Sequence, residues 1–398
     1  MALSGITRRT LMTRALDGAG FAFACRLLPA PLLSIPSFAF AQSSPNAGET
    51  PEPTAAERAA MADLARSFMQ HYDVPGLSVT VGRAGMLAYQ DAFGFADREQ
   101  REALNPAHLF RIASVSKTIT SVTIFSLIEQ GRLRLDDKVF GPGAILGTDY
   151  GRSPYDPQVD KITLEHLLTH TGGGLSNQHA DPMFSNLGLN HAQLIEWTLR
   201  NRPLNTPPGQ SYAYSNFGYC VLGRVIEMIT RQAYADYVDS AVLRRCGIAD
   251  MAIAGNTLGE RRRGEVKYYG RGDDPYDINI ARMDSHGGWI ARPADVVQFF
   301  MHVSGFAAPP NILKPETIQV MTAASTANPR YAKGWAVNKA DNWWHNGGLP
   351  GTSTIAVRAR SGLCWAAFTN TRLTNSGIDG ALDKLVWNMV AEVKSWRA

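Results

Sequence analysis

Apolar and polar residues alternate along this chain in two rhythms, and the change from one to the other divides it. Thr54 and Glu57 form a capping box before a helix running to about Gln70, with Met61, Leu64, Ala65 and Phe68 on one apolar stripe. A two-residue rhythm follows. Leu77 to Val81 and Met86 to Phe93, separated by Gly82-Arg83-Ala84-Gly85, predict a hairpin. Thr352 to Arg358 and Leu363 to Thr369, around Arg360-Ser361-Gly362, predict a second. A closing helix, Ile378 to Trp396, places Leu382, Leu385, Val386, Met389 and Val393 on one face. The two ends of the chain thus predict one antiparallel sheet covered by terminal helices.

Between them the rhythm is helical: 114 to 130, 163 to 169, 191 to 200, 216 to 230 and 234 to 244, with a further helix from Pro293. The pattern predicts an α+β chain in which a helical lobe, about 114–284, is inserted into a sheet lobe, about 56–113 and 285–398. Stretches 141–160, 172–190 and 254–284 have little periodicity, and loops of that length are usually functional. They are expected to shape a substrate cleft.

Residues 1–41 read as an export signal. Thr7-Arg8-Arg9-Thr10-Leu11-Met12 precedes a modestly apolar stretch and the small-x-small site Ala39-Phe40-Ala41, and the paired arginines favour the twin-arginine route to the periplasm or exterior. A polar, proline-rich linker, 42–55, leads into the hydrolase domain expected over 56–398. The signal holds four of the 39 basic and one of the 35 acidic residues, leaving 35 against 34 in the mature chain. That near balance argues against a nucleic-acid partner, and Arg261-Arg262-Arg263, flanked by Glu260 and Glu265, reads as a solvated loop. Beyond the signal no apolar run approaches the ~20 residues of a membrane span. Cys220, Cys246 and Cys364 remain after cleavage, an odd number whose pairing sequence does not fix.

Phe110 to Gln130, an almost wholly apolar helical run, carries Ser114 and Lys117 three residues apart. Residues at that spacing share a helix face with β-carbons ~5 to 6 Å apart. A serine hydroxyl becomes a useful nucleophile when a neighbouring base takes its proton, and burial lowers the proton affinity of a lysine toward that role. Further on, Tyr214 and Asn216 lie on a loop entering the helix Phe217 to Thr230. His345, Asn346, Gly347 and Gly348 stand at the beginning of a strand, where glycines permit a ligand to approach the backbone. Singly, each has an ordinary explanation: a chance Ser-x-x-Lys, a packed tyrosine, a lone histidine.

In this order the three groups resemble those of the penicillin-recognising serine hydrolases, which include class C beta-lactamases, D-alanyl-D-alanine carboxypeptidases, D-aminopeptidases and family VIII carboxylesterases. The resemblance spans roughly 56–395 and includes Leu133 to Asp137, Leu167 to Gly173, Gly287-Gly288 and Gly334-Trp335. It implies a beta-lactamase/transpeptidase-like fold with the active site in the cleft between the lobes. It also implies Ser114 as acylated nucleophile, Lys117 as its base partner and Tyr214 as proton shuttle, with the first base left open. The Ser114 and Gly348 N–H groups match the oxyanion hole; Asn216, His345, Asn346 and Gly347 match substrate-binding positions.

Beta-lactamases usually carry lysine where this chain has His345. A largely neutral histidine replaces a permanent cation that would hold a substrate carboxylate. The resemblance therefore implies a serine hydrolase cleaving small esters, amides or D-amino-acid peptides, with weak or no lactam hydrolysis and no cofactor. The alternatives are a class C-like beta-lactamase and a non-catalytic penicillin-binding or sensor module. His166 and His170, at i and i+4, invite a zinc reading, but Glu165 precedes the first histidine where a metalloprotease needs glutamate after it, and no third ligand is evident. His170 is expected instead to brace the turn at Gly172 to Gly174.

Overall fold

The structure, a computed structural model, describes residues 52–151, 156–178, 180–374 and 376–396. The expected export signal with Cys25, and most of the linker, lie outside these residues.

Both predicted hairpins join one seven-stranded antiparallel sheet in the order β3-β2-β1-β10-β9-β8-β7. Its strands are β1 (Gly76–Arg83), β2 (Met86–Asp97), β3 (Glu102–Ala103), β7 (Ala336–Val337), β8 (Trp343–Leu349), β9 (Thr352–Arg358) and β10 (Leu363–Thr369). A small sheet holds β4 (Phe110–Arg111), β6 (Trp289–Ala291) and β5 (Ala252–Ile253). Its strands are too short to leave a period in the sequence. The β1–β2 turn is tighter than expected. Gly82 and Arg83 belong to β1, and only Ala84 and Gly85, both with positive φ, form the turn, matching the primed geometry that fits strand twist.

Pairing β1 with β10 brings residues almost 300 positions apart into register, Leu77 opposite Thr369. Alternation along β10 then serves two cores. Leu363, Trp365 and Ala367 face α1 (Ala55–Tyr72) and α10 (Ile378–Glu392), while Cys364, Ala366 and Phe368 join the core that includes Val296, Val297 and Phe300 of α8 (Pro293–Met301). The capping box at Thr54 and Glu57 is present. The closing helix stops at Glu392, where Val393 turns extended before the short turn Lys394–Trp396.

The intervening helices are α2 (Ser116–Glu129), α3 (Leu164–Leu168), α4 (Pro182–Ser185), α5 (His191–Asn201), α6 (Asn216–Thr230), α7 (Tyr234–Val238) and α9 (Pro315–Thr322). Helix α2 is buried on every side. It carries more than two polar groups, and its three threonine hydroxyls at 118, 120 and 123 survive burial by donating to carbonyls, Thr118 to Val115 and Thr123 to Ile119, both at 2.8 Å, and Thr120 to Ser285 at 2.6 Å. The 234–244 run is broken, with α7 passing into a π-turn, Asp239–Leu243, and then a 3₁₀ turn, Arg244–Cys246. Cys220, Cys246 and Cys364 are buried free thiols. Among the described residues no helix is long and apolar enough to cross a membrane.

Trp365 is fully buried, with its ring 4.5 Å from that of Trp387. Trp365→Ala is expected to cost about 3 to 5 kcal/mol of unfolding free energy, read as a lowered urea midpoint at unchanged m-value.

Candidate active site

Ser114 does not begin the regular helix. It lies in a 3₁₀ turn, Ala113–Val115, and α2 starts at Ser116. The preceding residue, Ala113, has φ 49° without being glycine, a conformation that costs roughly 1 to 3 kcal/mol and persists only where the surroundings impose it. Three clamps impose it here. Ile112 N–H donates to Trp289 O at 2.9 Å, Thr354 Oγ1 donates to Ile112 O at 2.9 Å, and Thr352 Oγ1 donates to Arg111 O at 3.1 Å. Two threonines of β9 thus hold the backbone that presents Ser114.

Strand β8 lies across the same turn. A Cβ on Gly347 would collide with Thr354 Oγ1 and lie 2.5 Å from Ile112 O and 2.9 Å from Ala113 Cβ, so only glycine allows this approach. The His-Asn-Gly-Gly stretch is therefore not the start of the Thr352 strand. It forms most of β8, which turns through Pro350 and Gly351, φ 76°, into β9. Two glycines had erased the strand rhythm.

Lys117 is fully buried. Its Nζ lies 3.0 Å from Ser114 Oγ, 2.7 Å from Asn216 Oδ1 and 2.9 Å from His286 O. Burial pushes its ammonium down to about 7, with the Asp181 carboxylate acting in the opposite direction. The last two partners can only accept, so a neutral amine gives them its two hydrogens and turns its lone pair to the Ser114 hydroxyl. Tyr214, half-buried, shares a hydrogen bond with Ser114, and its ring centroid is 4.9 Å from Lys117 Nζ. Burial raises its pKa far above the usual phenol value, so it remains protonated at neutral pH.

Ser114, Tyr214, Gly348 and Arg372 border two cavities. One, of about 430 Å³, is also lined by Tyr212, Tyr331, His345 and Asn346. The other, of about 720 Å³, takes in Asn216, Phe184, Leu187, Ile278 and an aspartate rim of Asp273, Asp274 and Asp277. All the predicted site residues thus converge: Ser114, Lys117 and Asn216 are bonded together, Tyr214 meets Ser114, Gly348 and the exposed Asn346 face the cavities, and Gly347 sets the spacing. His345 is in the cavity wall but only 3% exposed.

A chain of hydrogen bonds fixes that ring. Ser215 N–H donates to His170 Nδ1 at 3.1 Å, so neutral His170 carries its proton on Nε2 and donates to the Tyr331 hydroxyl at 3.0 Å. At the far end Asn346 O, 2.6 Å from His345 Nδ1, can only accept. His345 Nε2 is then bare and receives the Tyr331 proton at 3.2 Å. Burial, with Lys117 nearby, pushes His345 down to about 3. His170 therefore braces the loop holding Tyr214, not the Gly172–Gly174 turn, and with both nitrogens occupied it does not pair with His166 as a metal ligand.

Tyr331 and Arg372 escaped the sequence reading. Tyr331 stands three residues before the noted Gly334, which has φ 88° and packs on Ser121 of α2. Arg372, just past β10, left no signal; its guanidinium lies over Gly348 and is paired with Asp379 at 2.7 Å.

A family profile for Beta-lactamase matches residues 61–384. The chain belongs to the beta-lactamase family. Among curated relatives of this family member, Protein flp of Staphylococcus aureus (strain MW2) is 23% identical over 300 residues, covering 73% of this chain and 58% of that protein. Esterase EstB of Burkholderia gladioli is 30% identical over 247 residues, covering 58% of this chain and 61% of the relative. The crystal structure of D-amino acid amidase from Ochrobactrum anthropi SV3, complexed with L-phenylalanine amide, has a TM-score of 0.71 at 20% identity, covering 86% of this chain and all of that one. This likeness shows the fold. The chain spans between about a third and three fifths of the length of the curated relatives it matches.

Gly347→Ala is expected to part β8 from the Ser114 turn and slow labelling of Ser114 by a fluorophosphonate about a hundredfold or more. Circular dichroism should show the fold retained.

Proposed function

We propose that the chain is a serine hydrolase that cleaves small esters and amides through an acyl-enzyme on Ser114. The single observation that carries this is the Lys117 environment: a buried amine brought to about 7, with two obligate acceptors taking its hydrogens and a serine hydroxyl at its lone pair. Lys117 Nζ takes the Ser114 proton as Oγ bonds to the substrate carbonyl carbon. The oxyanion that develops lies against the Ser114 and Gly348 N–H groups. Collapse breaks the bond to the leaving alkoxide or amine, which receives its proton through Tyr214. Water then repeats the sequence on the acyl-enzyme. Lys117 is favoured over Tyr214 as first base because burial lowers the proton affinity of a cationic acid and raises that of a neutral one.

A carboxylesterase or D-amino-acid amidase or peptidase is favoured over a beta-lactamase because of His345. A ring neutral at every physiological pH offers no cation to a lactam carboxylate, and the Arg372 charge near Gly348 is balanced by Asp379. The curated esterase relative and the amidase fold support the same substrate range. The paired arginines and small-x-small site support delivery to the periplasm or exterior.

Ser114→Ala is expected to abolish turnover of a p-nitrophenyl ester, and Lys117→Ala and Tyr214→Phe each to reduce kcat about a hundredfold or more. Wild-type rates in Ser114→Ala would eliminate the mechanism. Because the base works as the free amine, kcat/KM should rise with pH through about 7, and a profile flat from pH 5 to 8 would contradict the assignment of Lys117.

A further inference from the structure

An amide can be turned over by 180°, and for Asn216 the choice decides what Lys117 meets. With Oδ1 toward Nζ, the amide accepts an amine hydrogen; with Nδ2 there, it would compete for the lone pair aimed at Ser114. Lys117 itself does not settle this. Asn216 Nδ2 donates to Asp181 Oδ2 at 2.6 Å, and a carboxylate only accepts, so Nδ2 belongs on the Asp181 side and Oδ1 on the Lys117 side.

Asp181 is itself held. It caps α4, its Oδ1 accepting from Met183 N–H at 2.9 Å, with Pro182 fixing the first helical position. The same loop sends Asn177 Oδ1 to Asn216 N–H at 2.8 Å, and Asn177 N–H donates to Tyr214 O at 2.8 Å. The aperiodic stretch 172–190 therefore both lines the larger cavity, through Phe184 and Leu187, and holds the Asn216 amide from behind, through Asp181. Asp181 borders neither cavity.

We infer that Asp181 is a positioning residue for the reaction: its carboxylate locks the Asn216 amide with Oδ1 toward Lys117, and its charge sets how firmly Lys117 holds a proton. The inference rests on the reading of Lys117 as base. The titratable groups facing Lys117 are Tyr214 and Tyr219 by their rings, His170, His286 and His345, all three pushed below the usual histidine value by burial, and Asp181, the anion acting on its charge. Burial raises the Asp181 carboxyl above its ordinary value, opposed by its hydrogen bonds from Met183 and Asn216 and by the charges of Lys117 and Arg202, and Asp181 in turn acts on Arg282. Removing the Asp181 charge leaves Lys117 among neutral groups, so its proton affinity falls.

The test compares Asp181→Asn, which keeps an acceptor without the charge, with Asp181→Ala, which keeps neither. With a p-nitrophenyl ester, Asp181→Asn should retain kcat within about threefold while the acid limb of kcat/KM moves down by about one pH unit. Asp181→Ala should show the same shift and lose kcat about tenfold to a hundredfold, with KM nearly unchanged. A structural role alone would move neither limb. If Lys117→Ala is inactive while Asp181→Ala keeps wild-type kcat and limb, the positioning role is overturned and the proposed function stands. If Lys117→Ala is active, the proposed function itself falls. Should Asp181→Ala fail to fold, the Asp181→Asn limb decides: one that stays or moves up overturns the inference.

Discussion

Burying the amine of Lys117 is the constraint from which the rest of the site follows. A fall from 10.5 to about 7 means roughly 5 kcal/mol weighed against the cation. That figure is the net balance with the acceptors around Nζ in place, so they hold the amine without restoring full basicity, and near neutrality it can take a proton and return it. That position requires a helix buried on all sides, and such a helix must dispose of its other polar groups. The hydroxyls of Thr118, Thr120 and Thr123 do so through the carbonyls of Val115, Ser285 and Ile119.

The sheet supplies the second half of the site. Strands β8 and β9 belong to one hairpin and meet the Ser114 turn side by side: threonines of β9 grip the carbonyls of Arg111 and Ile112, while Gly347 of β8, paired with Thr354, lets the strand settle onto Ala113. The left-handed Ala113 is the visible cost of bending the chain so that Ser114 faces the cleft. Because β10 pairs with both β1 and β9, the N-terminal and C-terminal hairpins belong to one sheet, and the β9 threonines reach from it to the Arg111 and Ile112 carbonyls. Residues separated by over 200 positions are thereby held at contact distance.

Charge in the cleft is unevenly placed. The wall formed by His170, Tyr331 and His345 is polar but neutral, locked by backbone groups at its two ends. Arg372 brings a cation to Gly348 with Asp379 as its counterion, and Asp273, Asp274 and Asp277 rim the larger cavity. Such a cleft presents an anion with no uncompensated cation from this wall or from Arg372.

Much of this was legible in the chain. The terminal helices, both hairpins and most inserted helices follow from local periodicity and capping, which depend on near neighbours in sequence; the Ser114 and Lys117 pair was marked by its spacing, and Tyr214, Asn216 and Gly348 by the resemblance to the penicillin-recognising serine hydrolases. The strand β8 was not legible because its glycines, conserving space for the Ser114 turn, destroy alternation. The small sheet and the break after α7 were missed because two- and three-residue strands and mixed helical turns carry no period, and α9 because it is only eight residues long and buries just Ile318 and Met321. Asp181, Tyr331 and Arg372 stand in segments without rhythm, and their partners, Asn216, His345 and Gly348, lie between 14 and 35 positions away. The amino-acid sequence by itself determined which elements form and which reactive groups they carry. Only the tertiary structure decided the protonation of Lys117, the neutrality of His345 and the facing of the Asn216 amide, because each depends on burial and on acceptors that folding brings in from distant parts of the chain.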